Sequence, residues 1–311
     1  MGLEPNTNIA GTLGAFRYGR FDPTTRLTGT DFWRATFTPD GPATVHIWWT
    51  RSRPAEDPVG EGVGETTYQV DAESWGAGAR WMLDQVPRMI GTDDFGFICP
   101  DDAHPAVAAA HRNHRTFRIG ASGTLYHELL PIILAQRVTS GEAIRQWQRL
   151  AARLGAPAPG PDPTLRLPPS PASLLGRPAW WFHPFGVEAK RAEAMRTVAR
   201  YSARIGEWSR LSPAEAAAKL GLLRGIGAWT IGSALGPALG DPDAVPVGDF
   251  HVPNMVSWAL AREPRGTDAR MLELLAPYTG QRGRVISLLG RDGNAAPKFG
   301  PRQRIQPMYR F

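Results

Sequence analysis

Between Phe32 and Val70, apolar and polar residues alternate with the period of a half-buried strand, as in Thr44-Val45-His46-Ile47-Trp48-Trp49-Thr50 and Thr66-Thr67-Tyr68-Gln69-Val70. The turn-forming run Thr38-Pro39-Asp40-Gly41-Pro42 interrupts this pattern, and so does an acidic, glycine-rich stretch from Pro54 to Glu65. An antiparallel sheet is therefore predicted here. From Trp75 to Ile90 the period lengthens, with Trp81, Leu83, Val86 and Ile90 placed as on a helix packed against that sheet. Together these elements predict an N-terminal antiparallel α+β domain over residues 1–100.

After about Asp101 the strand pattern stops and helical segments follow one another, giving an α+β chain whose second domain, residues 101–290, is all-helical. Thr124 to Gln136 carries a broad apolar face. Thr139-Ser140-Gly141-Glu142 has the T-x-x-E form of a capping box and opens a helix reaching about Leu154. A proline-rich linker over residues 156–171 precedes a helix predicted from about Glu188 to Ile205. Ser212-Pro213-Ala214-Glu215 is a strong helix start, with a serine cap, a proline in the first turn and a glutamate reaching back. That helix is expected to end at Leu223, where Arg224-Gly225-Ile226-Gly227 turns the chain into a second helix beginning Ala228-Trp229-Thr230. The two helices form a helix-hairpin-helix. Residues 291–311, rich in arginine, proline and glycine, are expected to lie as an extended basic strap, and no internal repeat is present.

Charge and composition then narrow the partners. The 35 basic against 29 acidic side chains give a net charge of +6, which suits a polyanion. Lys190, Lys219 and Lys298 are the only lysines, so nearly all of the positive charge sits on arginines, whose planar fork matches phosphate. A GC-rich coding sequence would produce the same skew. One cysteine, Cys99, excludes an internal disulfide framework and any cluster needing four thiolates from this chain. With no apolar run of about 18 residues and neither a basic n-region nor an apolar h-region at the start, a soluble cytoplasmic protein is expected, with no membrane partner.

The hairpin and the loop after it carry the candidate chemistry. Glycines at 225 and 227 would allow positive φ and keep side chains away from the amides at the start of the second helix, where a phosphate can approach. Ile226 would plug the turn into the core. A turn of this kind also serves simply to join two antiparallel helices. Beyond the second helix, a Gly/Pro loop ends in Val247-Gly248-Asp249-Phe250-His251-Val252. Asp249 stands before an apolar helix, so it has the place of an N-cap as well as that of a functional carboxylate.

In this combination of a GIG hairpin, a helix of about a dozen residues, a Gly/Pro loop and an aspartate in a D-x-H-V context, the chain resembles the helix-hairpin-helix-GPD superfamily of DNA glycosylases. Ile133-Leu134-Ala135-Gln136-Arg137-Val138 and Gly186-Val187-Glu188-Ala189-Lys190-Arg191-Ala192-Glu193 resemble segments of its 3-methyladenine DNA glycosylase II branch. The resemblance runs from about Tyr126 to Leu289. It implies base excision from duplex DNA, with Asp249 as the catalytic carboxylate and Arg224, Gly225, Ile226, Gly227, Ala228, Thr230 and Arg282 at the DNA. Arg137 falls at the intercalating position of the branch. Trp229, Phe250 and Gln136, with Phe16 and Tyr18 from the first domain, are the expected base pocket. Gly232 and Ser233 depart from the pattern, because the best-known members place a pocket tyrosine there.

Bifunctional members carry a Schiff-base lysine at the second position after the hairpin's last glycine. Trp229 stands at that position, which points to a monofunctional enzyme, and lone Cys99 excludes the iron-sulfur members. The resemblance also implies a monomer acting at the nucleoid without a metal or cofactor, save a sodium or potassium ion at the hairpin carbonyls. Alkylated purines are the expected substrates, since cationic bases leave readily and bind aromatic faces. Two alternatives stand beside this one: a glycosylase for uracil, hypoxanthine or a bulkier adduct, and a non-catalytic DNA-binding module in which Asp249 only caps a helix. His111 and His114 have zinc-like spacing but no second ligand pair, and the glycines before Glu65 lie in an acidic run that would repel phosphate.

Overall fold

The computed structural model describes residues 8–52 and 67–297 of the chain. Strands β1 (Thr25–Leu27), β2 (Asp31–Thr38), β3 (Gly41–Ser52) and β4 (Thr67–Trp75) form an antiparallel meander in that order. The glycine-rich turn expected at 54–65 and the strap from residue 298 onward lie outside the described residues. Pro39 and Asp40 make the β2–β3 turn, and Phe32 pairs with Ile47 while Arg34 pairs with Val45, so the apolar Phe32, Val45 and Ile47 share one face of the sheet with the charged Arg34. Helices α1 (Ile9–Leu13) and α2 (Ala79–Met89) cover it, burying Ile9, Leu13, Phe16, Phe32, Ile47 and Met82 together.

Helix α2 corrects the sequence expectation at its start. Trp75 ends β4 and stacks on Trp33 at 5.6 Å, and the chain passes through Gly76 in left-handed backbone before turning helical at Ala79. The inward face is Met82, Val86 and Met89, spaced i, i+4, i+7, whereas Leu83 points outward and is 37% exposed. The short β1, three residues long, escaped the alternation pattern because it holds too few positions to show one.

A buried polar seam ties this sheet to the helices that follow α3 (Pro105–Asn113), namely α4 (Leu125–Leu134) and α5 (Ser140–Leu154). Arg34 of β2 pairs with Glu128 of α4, and both side chains are buried. Its Nη2 also donates to Nδ1 of His127 at 3.1 Å. Because a guanidinium only donates, Nδ1 must accept, and the imidazole proton sits on Nε2, 3.2 Å from the Thr24 hydroxyl. Trp147 of α5 donates its indole N–H to Asp22 at 2.9 Å. Every helical position of α4 is buried, which explains its lack of a polar face.

Thr139 caps α5 as expected, accepting from the Glu142 N–H, but the Glu142 carboxylate takes the amide of Gln146 instead of reaching back. Residues 156–171 are more than a linker. Pro157 bridges to Arg166, whose N–H donates to the Pro23 carbonyl, and Leu165 and Leu167 are buried. After the short α6 (Pro171–Leu175), the long helix expected to reach Ile205 divides at Tyr201 into α7 (Ala189–Arg200) and α8 (Ser202–Trp208). Next come α9 (Pro213–Leu220), α10 (Ala228–Leu239), α11 (Val252–Ala261), α12 (Asp268–Leu275) and α13 (Arg282–Arg291). Leu129, Trp147, Met195, Leu220 and Leu235 join in a central helical core, while Val107, Val256, Met271 and Val285 share another. No described helix is long and apolar enough to cross a membrane.

Candidate active site

Ser212 and Glu215 form a reciprocal capping box that fixes the start of α9, which ends three residues earlier than expected, at Leu220. The chain then turns through Gly221 to Gly227 into α10. Gly225 has φ +88°, and a Cβ there would lie 2.8 Å from that of Ala194, so glycine is required on both counts. Gly227 differs from the expectation: its φ of −101° and ψ of 179° are extended backbone open to any residue, and a Cβ there meets nothing within 4 Å. Its value lies in the bare surface it leaves beside the first amides of α10, which have no intrahelical acceptor. Ile226 is buried at 4% exposure and plugs the turn into the central core. Arg224, Gly225, Gly227 and Ala228 are exposed around it.

Asp249 lies where the loop from α10 enters α11, facing the beginning of the hairpin's second helix. Its Oδ1 accepts from the backbone N–H groups of His251 at 2.7 Å and Val252 at 2.9 Å. Its Oδ2 accepts from the indole N–H of Trp229 at 2.8 Å. The residue is thus a cap for α11 and, at the same time, a partly exposed carboxylate aimed at α10. Gly248, at φ +94°, turns the chain into this position, and its N–H is held by Asp268 at 3.0 Å.

The other sequence-selected residues divide. Gln136, just past α4, donates its amide to the Gly225 carbonyl at 3.0 Å and to the Thr230 hydroxyl at 2.9 Å, so it braces the hairpin instead of lining a pocket. Thr230, at 2% exposure, is consumed by that brace and offers DNA no hydroxyl. Arg137 is exposed with φ +59°, a left-handed conformation that non-glycine residues seldom adopt. Arg282 seals the fold: its backbone N–H and its guanidinium all donate to Asp243, which holds that carboxyl below its ordinary range against the opposing effect of burial. Phe250 is 80% exposed beside Asp249, and its ring meets His251 edge-on.

Phe16 and Tyr18 are not part of this constellation. Phe16 is buried edge-on to Phe32 in the sheet-side core, and Tyr18 packs on the central core beside the Asp22 turn, where burial pushes its hydroxyl up to about 12. The N-terminal segment contributes Gly11, Thr12 and Ala15 instead, at a cavity of about 240 Å³ whose other walls include Gly232, Ser233 and Gly236 of α10 and Ser287 and Arg291 of α13. Ser233 follows Trp229 by four residues on α10, which puts the two on one helix face about 6 Å apart along the axis. Sequence reasoning passed over Asp241, Phe117 and Arg291, which also line the cavity, because they sit in a loop, a segment with no periodic pattern and the end of a helix.

No family model and no curated protein matches the sequence. Solved structures similar to it include three DNA glycosylases. A 3-methyladenine DNA glycosylase from Archaeoglobus fulgidus aligns with a TM-score of 0.67 and 17% identity, over 94% of this chain and 98% of its own. A Clostridium acetobutylicum 8-oxoguanine glycosylase/lyase in complex with double-stranded DNA gives 0.60 and 13%, over 94% and 98%. A Schizosaccharomyces pombe 3-methyladenine DNA glycosylase in complex with abasic DNA gives 0.50 and 20%, over 61% and 90%. From its N-terminal sheet to its last helix, the chain shares its fold with the Archaeoglobus and Clostridium glycosylases.

Proposed function

We propose that the protein is a monofunctional DNA glycosylase that, as a monomer, hydrolyses the N-glycosidic bond of a damaged base extruded from duplex DNA, alkylated purines foremost. The observation that carries this reading is the Asp249 carboxylate, fixed by two backbone N–H groups at the start of α11 and by the indole N–H of Trp229 at the start of α10. Cleaving the bond builds positive charge on the deoxyribose, and a preorganised carboxylate stabilises that charge more in the transition state than in the ground state. A carboxylate offers roughly four acceptor positions. The three donors leave room on Oδ2 for the sugar or for an attacking water, so Asp249 both stabilises the cation and orients the nucleophile.

Extrusion costs a few kcal/mol of unstacking and pairing. The exposed hairpin meets that demand by gripping the backbone: the free amides of α10 take a phosphate, and Arg224 adds a cation beside it. Arg137 fills the gap left in the duplex. A sodium or potassium ion fits the hairpin, because the Leu223 and Gly225 carbonyls each accept one hydrogen bond and keep a second lone pair. Such an ion would supply one more charge for the phosphate.

The monofunctional assignment rests on Trp229, whose indole N–H is spent on Asp249, and on the absence of any lysine between Lys219 and Lys298. Incubating the protein with methylated duplex DNA and cleaving with hot alkali tests the activity: breaks at methylated purines support it, and tight binding without breaks marks a DNA-binding module instead. Borohydride should trap no covalent adduct, and a trapped adduct would overturn the monofunctional part.

A further inference from the structure

Asp249 stands in a loop outside any helix or strand, so the backbone groups around it must find partners elsewhere. Its own N–H donates to the Pro246 carbonyl at 3.1 Å. The peptides on either side are held by two side chains that take no part in the contacts of the carboxylate itself. Before it, the Gly248 N–H donates to Asp268, the first residue of α12, at 3.0 Å. After it, the Phe250 carbonyl accepts the side-chain N–H of Asn254 at 2.9 Å, and Oδ1 of the same amide accepts the Gly266 N–H at 2.9 Å. A carbonyl only accepts and a backbone N–H only donates, so these two partners fix the orientation of the Asn254 amide.

Both clamps lead to one place, residues 266–268 at the start of α12, and that place is braced in its turn. Gly266 lies so close to α11 that a Cβ would fall 2.1 Å from the Ser257 hydroxyl and 2.5 Å from the Pro253 carbonyl oxygen. Only glycine lets the chain pass there. Thr267 caps α12 by accepting from the Arg270 N–H at 3.2 Å, and the Arg270 guanidinium forks onto both carboxylate oxygens of Glu263. The Glu263 N–H returns to the Ser257 carbonyl at 3.2 Å, past the left-handed Arg262 that ends α11. Neither clamp is needed to cap a helix, because Asp249 itself caps α11 and Thr267 caps α12. What they fix is the pair of peptide planes flanking Asp249, and through these the direction of the Oδ2 lone pair left over by Trp229.

Resting on the glycosylase reading above, we infer that Asp268 and Asn254 are positioning residues that act through Asp249, aiming its spare lone pair at the anomeric carbon of the extruded nucleoside. A misplacement of about 1 Å can cost a hundredfold in rate, so two bonds remote from the substrate are enough to matter. Asp268 acts as an acceptor for Gly248 and not as a second negative charge for the sugar cation.

Single-turnover excision at saturating enzyme from a duplex carrying one alkylated purine tests this, with abasic-duplex affinity and urea unfolding measured alongside. Asp268→Ala should slow excision about tenfold or more, and Asp268→Asn, which keeps an acceptor for Gly248 but no charge, should recover to within about threefold of wild type. Asn254→Asp keeps the acceptor for Gly266 and loses the donor to Phe250. It should slow excision as much as Asp268→Ala, although it adds a negative charge beside the loop. All three variants should hold an abasic duplex within about twofold of wild type, and any loss of stability should leave them folded without urea. In an Asp249→Asn background, Asp268→Ala should cost less than about twofold more, since nothing is left to position. A wild-type rate in Asp268→Ala or Asn254→Asp, no recovery in Asp268→Asn, or losses that multiply with Asp249→Asn would each overturn the inference. Absence of excision by the wild type on every alkylated base would instead refute the glycosylase reading, and this inference with it.

Discussion

Trp229 donates its indole N–H to Oδ2 of Asp249 at 2.8 Å, joining the second helix of the hairpin to the loop that enters α11. One hydrogen bond therefore links the element proposed to grip DNA to the proposed catalytic carboxylate. Trp229→Phe keeps the aromatic face and removes the donor. Hydrogen bonds to charged groups contribute about 1.5–3 kcal/mol, so the single-turnover excision rate should fall about tenfold or more, with affinity for an abasic duplex unchanged. Equal losses in rate and affinity would assign the tryptophan to packing.

Gln136 spans the same region from the other side, holding the Gly225 carbonyl and the Thr230 hydroxyl with one amide nitrogen. Gln136→Ala leaves the buried Thr230 oxygen without this donor, which should cost about 1–3 kcal/mol of stability in urea unfolding. Because Gly225 is the pivot of the hairpin, abasic-duplex affinity measured by fluorescence anisotropy should weaken severalfold as well. A variant as stable and as tight-binding as wild type would show that the brace is incidental.

The seam between sheet and helices makes a stability prediction of its own. Glu128→Ala abandons Arg34 as a buried, unpaired guanidinium and should destabilise the protein by about 3–5 kcal/mol in urea unfolding. Replacing both partners with apolar residues of similar volume should recover most of that loss. If the double variant is no more stable than Glu128→Ala, the pair itself contributes the stability.

His127 adds a pH dependence. Burial, and then the charge of Arg34, hold it well below the ordinary histidine value. Above about pH 6.5 the ring is neutral both folded and unfolded; below it, the unfolded chain takes up a proton that the fold refuses. Stability is therefore lost as pH falls below about 6.5, by up to about 1.4 kcal/mol per pH unit. Glu128 and Asp22, both raised chiefly by burial, act in the opposite sense, because the fold binds their protons first. The difference in unfolding free energy between wild type and His127→Gln, followed from pH 7.5 to 5, isolates the histidine. A pH-independent difference would contradict the account.

What the chain disclosed before its structure follows from how local each signal is. The capping box at Ser212, the hairpin and the place of Asp249 depend on residues within a few positions of one another, and they were legible. Gln136, Thr230 and Arg282 were found by position but not by partner, since their contacts lie 89, 94 and 39 residues away in sequence. Phe16 and Tyr18 read as pocket aromatics because aromaticity is visible in a sequence and burial is not. The cavity was missed for the converse reason: space is made by what Gly236 and Ser233 lack, and Asp241 reaches it only through the left-handed turn at Gly240.

The most direct test of the central claim is the single-turnover excision rate of Asp249→Asn on a duplex carrying one alkylated purine. Asparagine can still accept from the His251 and Val252 N–H groups, so α11 stays capped while the negative charge is lost. The rate should fall at least about a hundredfold, with abasic-duplex affinity preserved. Excision at the wild-type rate would contradict the assignment of Asp249 and the mechanism built on it.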